Sequence, residues 1–129
     1  MIRTYLDSGV LIELERGRNQ TALDLVTDPF RELVITPFQE LEVLPSIPSA
    51  RLKAFKQNWG EIASDAILFD DLKTSFAVAL DVRKTNPEIQ AMDALHIAAA
   101  HLSHCDELIT TERAGKPIHL TGHVRVVPL

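Results

Sequence analysis

Met92–His101 reads MDALHIAAAH, an alanine-rich run with strong helical propensity and apolar side chains on nearly every side. A helix that is apolar all round in a globular protein is a buried one. One carboxylate, Asp93, interrupts the pattern. A carboxylate in a dry setting is costly unless it is paired or holds a cation. The only basic candidate at helical spacing is His96, and an imidazole is mostly neutral at pH 7. Asp93 therefore asks for a metal ion, or for a place at the mouth of a cleft.

Working outward from this helix, short apolar strands alternate with helical segments. Arg3–Leu6 reads as a strand ending at Asp7, with Ser8-Gly9 as a turn and Val10–Arg16 as a helix. Thr21–Asp28 is a second short helix. Leu33–Thr36 (LVIT) has the β-branched, continuous apolar character of a buried parallel strand. Pro37 opens the next helix at a position that tolerates proline. Ser49 is the expected N-cap of a helix over Ala50–Ile62, whose Leu52, Phe55, Trp59 and Ile62 recur at helical spacing. Ala66–Phe69 suits a short strand, and Asp70-Asp71 cap a helix over Leu72–Lys84. Asn86-Pro87 reads as the cap and first turn of the Asp93 helix. Asp106–Thr111 carries a strand, Ile118–Leu120 a short edge element, and Val124–Val127 the last strand. This alternation predicts a parallel sheet with helices on both faces, in a single domain spanning residues 1–129.

Composition excludes several classes. The chain has 129 residues, 46% of them apolar, and a formal net charge of -5. Those values supply a real core and do not describe a general nucleic-acid binder, although a bound cation can offset an acidic site. A single cysteine, Cys105, precludes an internal disulfide and fits a reducing compartment. No apolar run approaches the roughly 20 residues needed to span a membrane, and the start, MIRTYLDSG, lacks a signal-peptide layout. The expected location is the cytoplasm.

The scattered glycines form no phosphate-binding loop, and Gly-x-Ser-x-Gly is absent. Cys105 beside His104 is no catalytic pair on adjacency alone. His101 and His104, three apart, lack the further ligands of a zinc site. What remains is acidic: Asp7 after the first strand, Glu40 or Glu42 after the second, Asp93 on its helix and Glu112 after a later strand. Asp7 could also serve simply as a helix cap. Glu40 and Glu42 lie roughly 200° apart around a helix, so one faces a site and the other solvent. If the strands are neighbours in one parallel sheet, these acids meet at its carboxyl edge, where open α/β sheets bind ligands. Three or four carboxylates there repel one another unless a divalent ion lies between them. Oxygen ligands favour Mg²⁺ or Mn²⁺, and two such ions can cleave a phosphodiester.

YLDSGVLI (5–12), FQELEVLP (38–45), MDALHIAAA (92–100) and LITTE (108–112) together resemble, in order and separation, the motifs of PIN-domain nucleases, especially the small bacterial VapC-type toxins. The resemblance implies a three-layer α/β/α sandwich around a mainly parallel sheet. It further implies Mg²⁺- or Mn²⁺-dependent endoribonuclease activity, a homodimer, and a cognate antitoxin that blocks the acidic site. Carried over by position, Asp7 is the first acid and Asp93 the third. Glu42 is the second, with Glu40 the alternative, because that family's glutamate lies well into the helix. Thr110 matches the Ser or Thr preceding the fourth acid. That acid is usually aspartate, and here it is Glu112, one methylene longer.

The resemblance thus assigns Asp7, Glu42, Asp93 and Glu112 to the metal, with Ser8 and Thr110 as their hydrogen-bonding supports. RNA phosphates would meet basic residues among Arg16, Arg18, Arg51, Lys53, Arg113 and Lys116. Two rivals remain. One is a PIN-like RNA- or protein-binding module without strong turnover. The other is a haloacid dehalogenase-type phosphatase, which needs a second acid where this chain has Gly9.

Overall fold

The computed structural model describes residues 1–129. Five strands, β1 (Ile2–Leu6), β2 (Arg31–Ile35), β3 (Ile67–Leu68), β4 (Glu107–Thr110) and β5 (Val126–Pro128), form one sheet in the order β3-β2-β1-β4-β5. Every neighbouring pair is parallel. The helices are α1 (Ser8–Arg16), α2 (Gln20–Thr27), α3 (Pro37–Val43), α4 (Ser49–Asp65), α5 (Leu72–Thr85) and α6 (Ala91–Leu102).

Successive strand residues point to opposite faces, and the core divides accordingly. Tyr5, Val34 and Leu108 pack with α5 and α6 through Ala79, Val82, Ile97 and Ala98. Their neighbours Leu6, Leu33 and Ile109 pack on the other face with α1, α2 and α4 through Val10, Ala22 and Phe55. The result is the three-layer α/β/α sandwich expected from the alternation of elements. All six residues from Ala94 to Ala100 except Leu95 are buried, which the small alanine side chains permit by letting α6 lie close to the sheet.

The strand order places the site. The chain steps from β1 to β2 and β3 on one side, then returns to β4 on the other. The carboxyl ends of β1 and β4 therefore flank a topological switch point, where such sheets open a crevice. Asp7 follows β1 there, and Thr110 ends β4. Gly9 lies close to that second end: a Cβ on it would stand 2.2 Å from Thr111 Oγ1. The absence of a side chain lets the first turn of α1 approach the β4 end, and it leaves no room for the second acid that a dehalogenase-type phosphatase needs.

Several expectations are corrected. Ser8-Gly9 is not a turn: α1 begins at Ser8, with Asp7 itself as N-cap. Ser49 is the first residue of α4 rather than its cap, and Pro48 precedes it without a side-chain hydrogen bond. Asn86-Pro87 does not open the Asp93 helix. Asn86 instead closes α5, its N–H donating to the Val82 carbonyl, and Gln90 stands at the start of α6. The fully buried Ile89 explains this, because its N–H closes a turn onto Asn86 and draws the segment into the core. Asp93 consequently lies in the first turn of α6, not mid-helix, where the helix dipole favours a negative charge. Ile118–Leu120 belongs to a 3-10 turn, Pro117–Leu120, rather than to a sheet edge. Asp71 does cap α5, accepting the Thr74 N–H at 3.0 Å. No helix is long and apolar enough to cross a membrane.

Candidate metal centre

Asp7 is buried at the end of β1, and both of its oxygens are held. Oδ1 accepts the Ser8 N–H at 2.9 Å and Oδ2 accepts the Thr110 hydroxyl at 2.8 Å. One rotamer thus caps α1, accepts the Thr110 hydroxyl and still leaves a lone pair free on each oxygen. Thr110 Oγ1 also accepts the Glu112 N–H at 3.1 Å, so a single hydroxyl ties the fourth acid's backbone to the first acid's carboxylate.

The two glutamates of α3 separate as their spacing requires. Glu42 Oε1 accepts the Ser8 hydroxyl at 2.9 Å and is in hydrogen-bond contact with His96 Nε2. Glu40 points elsewhere, accepting the Trp59 indole N–H at 3.0 Å. The register is set by Thr36 and Gln39, which form a reciprocal capping box at the start of α3. The Gln39 side chain also donates to the Leu6 carbonyl at 2.7 Å, anchoring α3 directly to the residue before Asp7. The hydrogen bond from His96, aided by that from Ser8, holds the Glu42 carboxyl below the usual range.

Asp93 meets this group from α6. Burial, and next the charge of Asp7, push its carboxyl up to about 6, with Glu42 and Glu112 adding further repulsion. Glu112, Asp93, Glu88, Gln90 and Lys116 line one cleft of about 170 Å³, which places Glu112 beside Asp93 on the open side. Of the six basic candidates, Lys116 lines this cleft. Arg51 is engaged with Glu15 at 2.9 Å and Arg16 with Glu13 at 3.7 Å. Arg18, Lys53 and Arg113 are exposed.

Sequence reasoning missed the centre of the cluster, His96. Its side chain is wholly buried, with Nδ1 2.6 Å from the Tyr5 hydroxyl and Nε2 3.2 Å from Ser8 Oγ and 3.8 Å from Asp7 Oδ1. Asp7, Glu42 and His96 present ligating atoms within 4.8 Å of one another. The signal was present: a histidine in an all-apolar helix needs a buried partner. That partner lies across the sheet edge, not at helical spacing.

The donor set suits a hard divalent cation. Asp7 and Glu42 lie together, with Asp93 near enough to feel their charges and that of Glu112; burial first, and then the repulsion that a cation would relieve, raises the Asp93 carboxyl. Of the four acids, Asp7 and Glu42 could hold it together, while Asp93 and Glu112 lie outside the group of ligating atoms within 4.8 Å of one another. Oxygen donors of this kind fit Mg²⁺ or Mn²⁺.

No family model matches this sequence, and no curated protein matches it. Solved structures do. The chain superposes on a chain of VapBC2 from Rickettsia felis, bound to a DNA fragment from its promoter, with a TM-score of 0.76, 11% identity and 99% of both chains covered. A toxin–antitoxin complex from Klebsiella pneumoniae matches with a TM-score of 0.68, 19% identity and coverage of 96% of this chain and 95% of that one. VapBC-5 from Mycobacterium tuberculosis, of the VapBC family of toxin–antitoxin systems, matches at 0.66, 17% identity and full coverage of both. At these identities the likeness is one of fold, and it extends end to end over the three-layer α/β/α sandwich.

Proposed function

We propose that this chain is a divalent-metal-dependent endoribonuclease and the toxin of a toxin–antitoxin pair. One observation carries the reading: Asp7 and Glu42, with Asp93 near enough to feel their charges and that of Glu112, lie at the switch point of a fold shared, over its whole length, with chains of toxin–antitoxin complexes. A bound Mg²⁺ or Mn²⁺ would supply an activated water and charge neutralisation at the scissile phosphate. The protein's own contribution is preorganisation. Ser8 N–H and the Thr110 hydroxyl fix the Asp7 carboxylate, and the Ser8 hydroxyl and His96 fix that of Glu42. Asp93, in the first turn of α6, provides the charge that is most costly without a cation. Lys116, which lines the same cleft, would receive a phosphate of the RNA.

The partners follow the same reading. A cognate antitoxin would cover the acidic cleft, and a second copy of the chain would cover the apolar stripe of Leu72, Phe76 and Leu80, which recur every fourth residue on α5 and are 59%, 60% and 46% exposed. Incubating the purified protein with total RNA, with Mn²⁺, with Mg²⁺ and with a chelator, tests the activity. Cleavage that the chelator abolishes and either ion restores is expected. RNA left intact under all conditions would leave a binding module.

Glu112 is the departure from the motif. It is exposed and lines the same cleft as Asp93, from where its longer arm would reach the site. Mg²⁺ demands near-ideal octahedral geometry, so Glu112→Asp should retain or improve Mg²⁺-supported cleavage. Glu112→Ala should lower cleavage by about 10–100-fold, the range typical for residues that support a metal. Initial rates on one RNA substrate decide the matter. A Glu112→Ala variant that cleaves at the parent rate would reduce Glu112 to a loop residue and the site to three acids.

A further inference from the structure

Behind the acids lies a buried chain of side-chain groups that metal ligation does not require: Thr36, Tyr5 and His96. The Tyr5 hydroxyl stands 2.9 Å from Thr36 Oγ1 and 2.6 Å from His96 Nδ1. All three residues are sealed from water, at 1%, 0% and 0% exposure. Each proton in such a chain must have an acceptor, because a buried donor without one forfeits its hydration and gains nothing.

That requirement gives the chain a direction. Thr36 Oγ1 already accepts the Gln39 N–H of the capping box at 3.4 Å. The hydroxyl proton of Thr36 therefore goes to its other partner, the Tyr5 oxygen. A tyrosine hydroxyl, with an ordinary pKa of about 10, keeps its proton at neutral pH. Having accepted from Thr36, it donates to His96 Nδ1. A ring nitrogen that accepts carries no proton, so the imidazole proton resides on Nε2. Running the chain backwards, as either the other tautomer or an imidazolium requires, strands the Thr36 proton.

We infer that the Thr36–Tyr5 pair locks His96 as a neutral imidazole protonated on Nε2, making His96 a positioning donor to Glu42 and not a metal ligand. The geometry around Nε2 agrees. Nε2–H points at Glu42 Oε1 with Ser8 Oγ beside it, and the Ser8 hydroxyl donates to the same oxygen. Two donors on Oε1 leave Oε2 as the Glu42 oxygen without a side-chain hydrogen bond. The Asp7–Glu42–His96 group would otherwise read as a mixed nitrogen–oxygen site of the kind zinc occupies. With the Nε2 lone pair committed to a proton, the site offers oxygen alone. The role of His96 toward the cation rests on the nuclease reading above, whereas its tautomer does not.

Long-range ¹H–¹⁵N correlation spectra of the histidine rings in the labelled, metal-free protein test this directly, with the His96 signals identified by their loss in His96→Gln. The expected pattern is a protonated Nε2 and a bare Nδ1, unchanged when Mg²⁺ is added. Tyr5→Phe removes one hydroxyl and should shift the ring toward a mixture of tautomers. Calorimetric titration of Mg²⁺ should show Tyr5→Phe and the apolar His96→Leu weakened by about 10–100-fold, as for other partners of metal ligands. His96→Gln, which keeps an N–H donor, should retain most of the affinity. A protonated Nδ1 in the parent protein, an Nε2 that loses its proton on adding Mg²⁺, or an unchanged spectrum in Tyr5→Phe would each overturn the proposal. A parent protein that shows the expected tautomer yet binds no Mg²⁺ would refute the nuclease reading and leave the lock standing. Should His96→Leu fail to fold, the spectra of the parent and of Tyr5→Phe still decide.

Discussion

Asp93→Asn is expected to abolish metal-dependent cleavage and at the same time raise the melting temperature of the metal-free protein. The two effects have one cause. Burial and the neighbouring acids, Asp7 first, hold the Asp93 carboxyl at about 6 against an ordinary 3.8. A folded-state pKa above the unfolded one means that ionisation costs the fold stability. This group's stabilising contribution is complete below about 3.8 and is lost as the pH rises through about 6. The rise corresponds at face value to about 3 kcal/mol, which solvent at a half-buried carboxylate screens to about 1–2 kcal/mol. At pH 7.5 the asparagine variant should therefore melt a few degrees higher than the parent, and the difference should close as the pH falls toward 4. Saturating Mn²⁺ should reverse the order, because the parent regains through the ion what repulsion cost it. Cleavage should fall by more than about 100-fold, since even the outer partners of metal ligands are worth about 10–100-fold. Melts across pH with and without Mn²⁺, beside an RNA assay, check all of this. Normal activity in the variant, or a variant that only unfolds, would sink the assignment.

Glu42→Gln should remove activity to a similar extent with a stability change of the opposite sign. The hydrogen bond from His96, with that from Ser8, holds the Glu42 carboxyl below its usual range. A depressed carboxyl contributes stability above its unfolded pKa and loses it as the pH falls through the folded one. Removing the charge at neutral pH should therefore lower the melting temperature slightly, where Asp93→Asn raises it. Glu40→Gln is the control on the same helix. Its partner is the Trp59 indole N–H, which an amide oxygen accepts equally well, so both cleavage and melting should stay near the parent values. Parallel melts and assays of the pair settle the register of α3, and loss of activity in Glu40→Gln alone would show that register to be wrong.

The opposite signs show what a list of acids cannot. Asp7, Asp93 and Glu112 stand out in the sequence by local pattern, because each follows an apolar strand or interrupts an apolar helix, whereas Glu42 is separated from Glu40 only by the motif resemblance. Their energetic characters do not. Whether a carboxyl is pushed up or down depends on donors from other elements, here Ser8 and His96 for Glu42, and their absence for Asp93. Local pattern also misled where a distant contact decided. Asn86-Pro87 has the chemistry of a helix start, yet the burial of Ile89 makes the segment a turn and moves the true start of α6 to Ala91.

What the sequence determined by itself is set by periodicity and composition. The continuous apolar strands, the buried Ala-rich helix and the strand–helix alternation specify a parallel sheet covered on both faces, because no other arrangement buries those surfaces with short connections. The choice of Glu42 over Glu40 was half legible, since helical geometry separates the two but does not say which faces inward. Only the tertiary structure decided that, through the Thr36–Gln39 cap and the Gln39 bond to the Leu6 carbonyl. It also decided the order β3-β2-β1-β4-β5, which brings residues as far apart in the chain as Asp7 and Thr110 into hydrogen-bond contact. The same holds for His96, whose partners Tyr5, Ser8 and Glu42 lie on β1, α1 and α3. Contacts across such separations leave no trace in local spacing, because they are enforced by the packing of the whole sheet.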